Sequence, residues 1–233
     1  MAKWTTEKAV QELKTLLGEK LVAVVLYGSA AGGDHAGKNS DINLLVTTKE
    51  LGFKGLQLLS KAVVPWVKQN NPAPMFLIDG HLADLTDVFP VEILDMQYNH
   101  QMLYGPDPFP GLEIKKEHVR VELEHELRGK LMQLKSRFTL TEARPGLVEK
   151  LMLDSVSTFL VLCKGVLWFH GEKPPLKKMD ALRKLKEFIS FDLEVFETID
   201  KLKNGEKIRN LDVLGAFEKY LGAIEKIVDN VNQ

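Results

Sequence analysis

The chain has 233 residues, 45% hydrophobic and 27% charged, with a net charge of −1 at pH 7. That composition suits a soluble globular protein with a real core, in one large domain or two modest ones. It excludes a disordered polyelectrolyte and gives no bulk basic charge for a nucleic-acid or membrane surface.

The single cysteine, Cys163, excludes an internal disulfide and fits a reducing compartment. The first residues, MAKWTTEKAVQELK, are charged from the start and carry no apolar signal core. The apolar stretch FLVLCKGVLWF (159–169) is short for a bilayer and is interrupted by Lys164. The expectation is a cytoplasmic protein with no membrane span.

In chain order, TTEKAVQELKTLLGEK reads as a helix. Thr5 or Thr6 can cap it, Ala9, Val10, Leu13, Leu16 and Leu17 form its apolar face, and Gly18 ends it. LVAVVLYG (21–28) is an almost unbroken β-branched run, as for a strand buried on both faces. Residues 29–40 form a loop rich in Gly, Asp and Asn. DINLLV (41–46) is a second strand, with Asp41 and Asn43 on one face and Ile42 and Leu44 on the other. FKGLQLLSKAVVPWVKQ reads as a helix kinked or broken at Pro65. PMFLID (74–79) is a third strand, LADLTDVF (82–89) a short helix or turn, and PVEILDM (90–96) a fourth strand.

Three prolines and two glycines in GPDPFPGLEI mark residues 105–115 as a linker, dividing 1–104 from 116–233. Everything after it reads as helix. Val119, Leu123, Leu127, Leu131, Leu134 and Phe138 recur at three- and four-residue steps. The run from Pro145 to Gly171 is apolar nearly all round, as for the central helix of a bundle. Shorter helices follow at about 177–189 and 191–203, and a closing helix starts near Asn210 or Asp212. The expected fold class is α+β: a small mixed-sheet α/β domain followed by an all-α helical bundle.

LYGSAAGGDHAGKNSDINLLV (26–46) carries the chemistry. A strand that ends in Gly28-Ser29 and turns sharply presents backbone N–H groups, and the Ser29 hydroxyl adds a rotatable donor. Such a concave donor set suits an anion, and a triphosphate tail is an obvious occupant. The second strand then brings an acid, Asp41, into the same crevice.

Tyr27-Gly28-Ser29, a loop of about ten residues, then Asp41-Ile42-Asn43-Leu44 resembles the nucleotidyltransferase superfamily of the DNA polymerase β and kanamycin nucleotidyltransferase type. Ser40 before Asp41 agrees with that pattern, and a helical second domain is frequent in stand-alone members. The resemblance implies carboxylates that hold Mg²⁺, and transfer of a nucleotidyl group, AMP from ATP, to a hydroxyl of an acceptor. It places Asp41 as first metal-binding and catalytic acid, Asn43 at the second acid's position, and Glu92 as third acid, with Asp95 its rival on the opposite face. Gly28 and Ser29 would hold phosphate, with Lys38 as the loop's full positive charge.

Asn43 is the departure. An amide oxygen can ligate Mg²⁺, but it brings no negative charge and accepts no proton. The resemblance is therefore compatible with an active transferase, a weakened one, or an inactive nucleotide-binding or protein-interaction module. No acceptor can be read from residues 115–233, and a homo-oligomer stays open. Asp34 and His35 read as turn residues. Arg120 with His125, and His118 with Glu122 and His125, read as a solvated helix face. The basic run Lys177, Lys178, Arg183, Lys184 and Lys186 is interspersed with Asp180 and Glu187, so nucleic acid is not favoured as a partner. Cys163 reads as core, and Trp168, Phe169 and His170 as packing.

Overall fold

The structure is a computed structural model that describes residues 5–31 and 42–231. Asp34, His35, Lys38 and Asp41 lie outside the described residues. The chain divides into two compact units, Met1–Lys115 and Lys116–Gln233. The architecture is α+β: a four-stranded mixed sheet with helices in the first unit, and helices alone in the second.

The first unit opens with α1 (Thr6–Leu17), whose first turn is capped by the Thr5 hydroxyl accepting from the Lys8 N–H. Strand β1 (Leu21–Tyr27) follows, then β2 (Asn43–Thr48), α2 (Phe53–Val67) and β3 (Met75–Ile78). Pro65 does not break α2; it lies in the last turn, and the helix runs on to Val67. With a last strand, β4 (His100–Tyr104), the sheet order is β3-β2-β1-β4. β1 pairs antiparallel with β2 and β4, and β2 pairs parallel with β3.

Strand alternation sorts β1 onto two cores. Val24 and Leu26 join the α1 and α2 side with Leu13, Leu44, Val46, Leu59 and Trp66. Val25 faces the other side with Leu45, Leu82, Ile93, Met96 and Phe109. Val24 and Val25 are both fully buried, as the unbroken apolar run implies.

The expected fourth strand is corrected. Residues 90–96 lie in a helix, α3 (Pro90–Tyr98), and the sheet is completed by β4 (His100–Tyr104). Pro90 occupies the first helical turn, where its fixed φ is preorganised and its missing N–H costs nothing. Val91, Ile93, Leu94 and Met96 are buried while Glu92 is exposed. The adjacent apolar pair Ile93-Leu94 breaks strand alternation and suits a helix pressed on the sheet.

Phe109, from the proline-rich stretch 105–115, is 2% exposed and packs in that same core, with Leu112 and Ile114 beside it. Gly105, at φ +77°, ends β4 where a Cβ would lie 2.0 Å from the Val22 carbonyl oxygen.

The second unit contains α4 (Lys116–Thr139), α5 (Pro145–Phe169), α6 (Lys178–Leu185), α7 (Glu194–Lys203) and α8 (Val213–Val231). Helix α5 is long and apolar enough to cross a membrane. Here it packs against α4, α6, α7 and α8, and its apolar surface is used by that core. Cys163 is buried on it, and burial pushes the thiol up to about 12.

Two outcomes check this packing. Gly105→Ala should destabilise the fold by about 2–4 kcal/mol, seen as a lowered urea midpoint, because backbone rather than a flexible side chain blocks the new methyl. Cys163 should stay unmodified by an aromatic disulfide reagent at pH 8 in the native protein and react promptly in urea.

Candidate nucleotide site

The end of the sheet where β1 stops and β2 and β4 begin gathers the polar residues of interest. Tyr27 lies opposite Asn43 on β2 and opposite His100 on β4. Directly opposed residues share a face, so Asn43, Tyr27 and His100 form one row across three strands. Burial pushes the Tyr27 phenol up from its ordinary value.

Beyond Tyr27 the chain enters a single 3₁₀ turn, Gly28–Ala30. Gly28 has φ +77°, and a Cβ there would meet the Asn43 Nδ2 at 3.2 Å. Glycine therefore serves twice at this position: it takes the left-handed backbone, and it lets the Asn43 amide close against the turn.

The Gly28 N–H is not free for a ligand. It donates to the Asn99 carbonyl at 3.0 Å. The Ala31 N–H donates back to the Gly28 carbonyl at 3.1 Å. A 3₁₀ turn closes on i→i+3 bonds, so the Ala31 N–H is used within the turn as the Gly28 N–H is used beside it. The cradle is narrower than a run of free amides.

Asn99 anchors that turn. It caps the end of α3, its N–H donating to the Asp95 carbonyl at 2.9 Å. Its side-chain Nδ2 donates to Asp95 Oδ1 at 2.6 Å. The residue is 3% exposed, and its Oδ1 is buried without a partner among the described residues. Asp95, Asn99 and Gly28 are thus linked from helix to turn.

His100 is tied down as well. Its Nδ1 lies 3.0 Å from the Met96 carbonyl and its Nε2 lies 3.2 Å from Asp107 Oδ2. Asp107 Oδ1 also accepts from the Phe109 N–H at 3.0 Å, and the Phe109 and His100 rings sit 4.5 Å apart. Both ring nitrogens face oxygen acceptors, so the imidazole is used in holding residues 107–109 to the sheet.

The residues expected for the site are only partly brought together. Gly28 and Asn43 meet at the end of β1 and the start of β2, and Ser29 follows Gly28 in the 3₁₀ turn. Asp41 and Lys38 lie outside the described residues. Glu92 stands exposed in the first turn of α3, six residues before Tyr98, which is about 9 Å along the axis from the end that meets the turn. Of the two acids weighed for the third position, it is Asp95 whose carboxylate bonds Asn99. In a helix the two are three residues apart and share a side rather than pointing to opposite faces.

Sequence reasoning missed Asn99, His100 and Asp107. The alternation in HQMLYG, ending on a glycine, was a signal for a strand beginning there.

The resemblance implies Mg²⁺, and the residues present test that implication. Among the described residues, no group of three or more His, Cys, Asp or Glu side chains could hold a metal ion. At the turn itself the described polar side chain is the Asn43 amide, with the Asn99 amide behind it. A carboxylate about 5 Å from a phosphate oxygen is repelled by roughly 3 kcal/mol per unit charge at an effective dielectric of about 20, unless a cation lies between them. Asn43 removes that repulsion together with the charge that would attract a metal. The described residues do not fit a two-magnesium centre.

No family model matches the chain, and no curated protein matches its sequence. Solved structures do match. The chain is similar to spectinomycin adenyltransferase AAD(9) from Enterococcus faecialis, crystallised with ATP and spectinomycin. That match has a TM-score of 0.54 and 17% identity, and covers 95% of this chain and 100% of the other. A nucleotidyltransferase-like protein from Exiguobacterium sibiricum 255-15 also aligns, with a TM-score of 0.41 and 10% identity, over 97% of this chain and 75% of the other. The sheet order, the Gly28–Ser29 turn against β2, and a likeness that runs through both units agree: the chain has the nucleotidyltransferase-like fold.

Proposed function

We propose that this chain binds a nucleoside triphosphate, ATP, at the Gly28–Ser29 turn, and that its transfer of a nucleotidyl group to a hydroxyl is attenuated. One observation carries the reading: the Asn43 amide closes against Gly28, where the superfamily pattern places its second acid. The shared fold supports the nucleotide, because the similar adenyltransferase was crystallised with ATP. Fold alone does not confer activity; the side chains at the site do.

In this reading Ser29 offers its backbone N–H to phosphate, and Lys38 supplies charge from the loop. Asp41 supplies the remaining acid of the pair. Magnesium that travels with the nucleotide would neutralise phosphate charge, and Asp41 with Asn43 would be its protein ligands. With an amide at the second position, the charge that supports dehydration of Mg²⁺ is halved. The acceptor is a hydroxyl compound that enters beside the turn. The buried cysteine and the absence of a bulk basic charge fit a cytoplasmic protein with a small-molecule acceptor.

A second reading, binding with no transfer at all, is favoured by the position of Glu92. With that residue on the exposed face of a helix rather than on a strand, this reading keeps Asp41 as the acid of the pattern.

Two measurements test the proposal. Calorimetric titration with ATP and Mg²⁺ should show saturable binding, and Gly28→Ala should weaken it at least about tenfold, near 1.4 kcal/mol, through the strained φ and the contact with Asn43. With ATP labelled in its α-phosphate and a panel of hydroxyl acceptors, Asn43→Asp should raise label transfer at least about tenfold over the native protein, again near 1.4 kcal/mol. A native rate equal to that of the variant would remove the attenuation. Binding with no transfer by either protein would select the second reading. No binding of ATP would sink both.

A further inference from the structure

We propose that the outer face of α2 docks on an anionic lipid surface. The inference stands apart from the nucleotide reading and uses none of its residues.

Helix α2 buries Leu59, Ala62 and Trp66 in the core it shares with α1 and the sheet. Its other side is apolar as well. Phe53 is 74% exposed, Leu56 49%, Val64 49% and Val67 43%. A helix turns about 100° per residue, so these four fall within about 80° of one another and form one stripe. Lys54, Lys61 and Lys68 recur at steps of seven, which returns to almost the same side, and they border that stripe along one edge. All three are exposed. No aspartate or glutamate occurs from 51 to 78. Glu50, just before the helix, is paired with Lys20 at 2.6 Å. The chain's net charge of −1 thus hides a segment whose charges are all positive.

Large apolar side chains exposed together in a row mark an interaction face, and the charge pattern selects its occupant. An amphipathic helix with lysines beside its apolar face lies in a lipid interface. The apolar stripe enters the acyl boundary, and the ammonium groups snorkel among acidic headgroups. A protein partner suits this face less well, because protein interfaces are depleted of lysine and enriched in arginine, and α2 has no arginine. A second copy would set the same positive charge against itself. Nucleic acid would meet the lysines and leave Phe53 and Leu56 in water. The ligand class is a bilayer bearing acidic headgroups, bound at its surface and not spanned.

The test is sedimentation of the full chain with sucrose-loaded vesicles, of phosphatidylcholine alone or with about one third phosphatidylglycerol. The native protein should bind the acidic vesicles at least about tenfold more tightly than the neutral ones, and the difference should shrink in high salt. Lys54→Gln, Lys61→Gln and Lys68→Gln together should lower that affinity at least about tenfold, since each lysine near such a surface strengthens binding about fivefold. Phe53→Ser with Leu56→Ser should lower it at least about fivefold. Both variants alter exposed side chains, so unchanged circular dichroism and urea midpoints separate lost docking from lost folding. Lys177→Gln, Lys184→Gln and Lys186→Gln, the same charge change in the second unit, should leave binding within about twofold. Equal binding to both vesicles, binding to neither, or loss of binding in that control overturns the proposal. A dimer in solution that Phe53→Ser with Leu56→Ser dissociates assigns the face to a second copy and overturns it too. None of these outcomes bears on ATP at the Gly28 turn.

Discussion

Strand β1 is the member on which the first unit is hung. It is hydrogen-bonded along both edges, to β2 and to β4, and it contributes side chains to both cores. Its central residues are wholly withdrawn from water. Each such Val or Leu contributes about 1.5–3 kcal/mol of transfer free energy, so the strand has little freedom to slip. A one-residue shift would carry Val24 and Val25 to the wrong cores and Tyr27 out of register with Asn43 and His100. The position of the Gly28 turn is inherited from that constraint.

The turn is then held from outside the strand. Asn99 accepts the Gly28 N–H through its backbone and is itself tied to Asp95. A buried polar residue is tolerated only when bonded, and here the bonding couples the C-terminus of α3 to the mouth of the site. His100 and Asp107 do the same for the segment that carries Phe109. Residues that look like chemistry in the sequence, a histidine and two aspartates, are here employed in placing backbone. What faces the turn is the neutral side chain of Asn43, on which the proposed balance between binding and transfer rests.

The helical unit obeys the same physics on a larger scale. α5 is apolar on nearly every side because four other helices cover it. A polar junction in that core is satisfied: Ser155 Oγ lies 3.1 Å from the Tyr220 hydroxyl, and burial raises the Tyr220 phenol above its ordinary value. Phe138 stacks on Phe217, and Tyr220 meets Phe159 and Phe196 edge-on, joining α4, α5, α7 and α8 through aromatic contacts.

Much of this was legible in the residues themselves. The α1 cap at Thr5, the buried run of β1, the Gly28-Ser29 turn and the apolar faces of α4 and α5 are local patterns, written in period and composition. The sequence by itself also settled that Asn43 is an amide, which no fold can alter. Tertiary structure decided between two candidates for the fourth strand. PVEILDM has enough β-branched and apolar character for a strand, and its burial against Val25, Leu45 and Phe109 selects the helix that Pro90 and the Ile93-Leu94 pair allow. That exchange put Glu92 on the exposed face of a helix, and it put Asn99 and His100, distant in sequence from Gly28, beside the turn. Local propensity amounts to a few tenths of a kcal/mol per residue, whereas burying a face of α3 against the sheet amounts to several, so the packing decides.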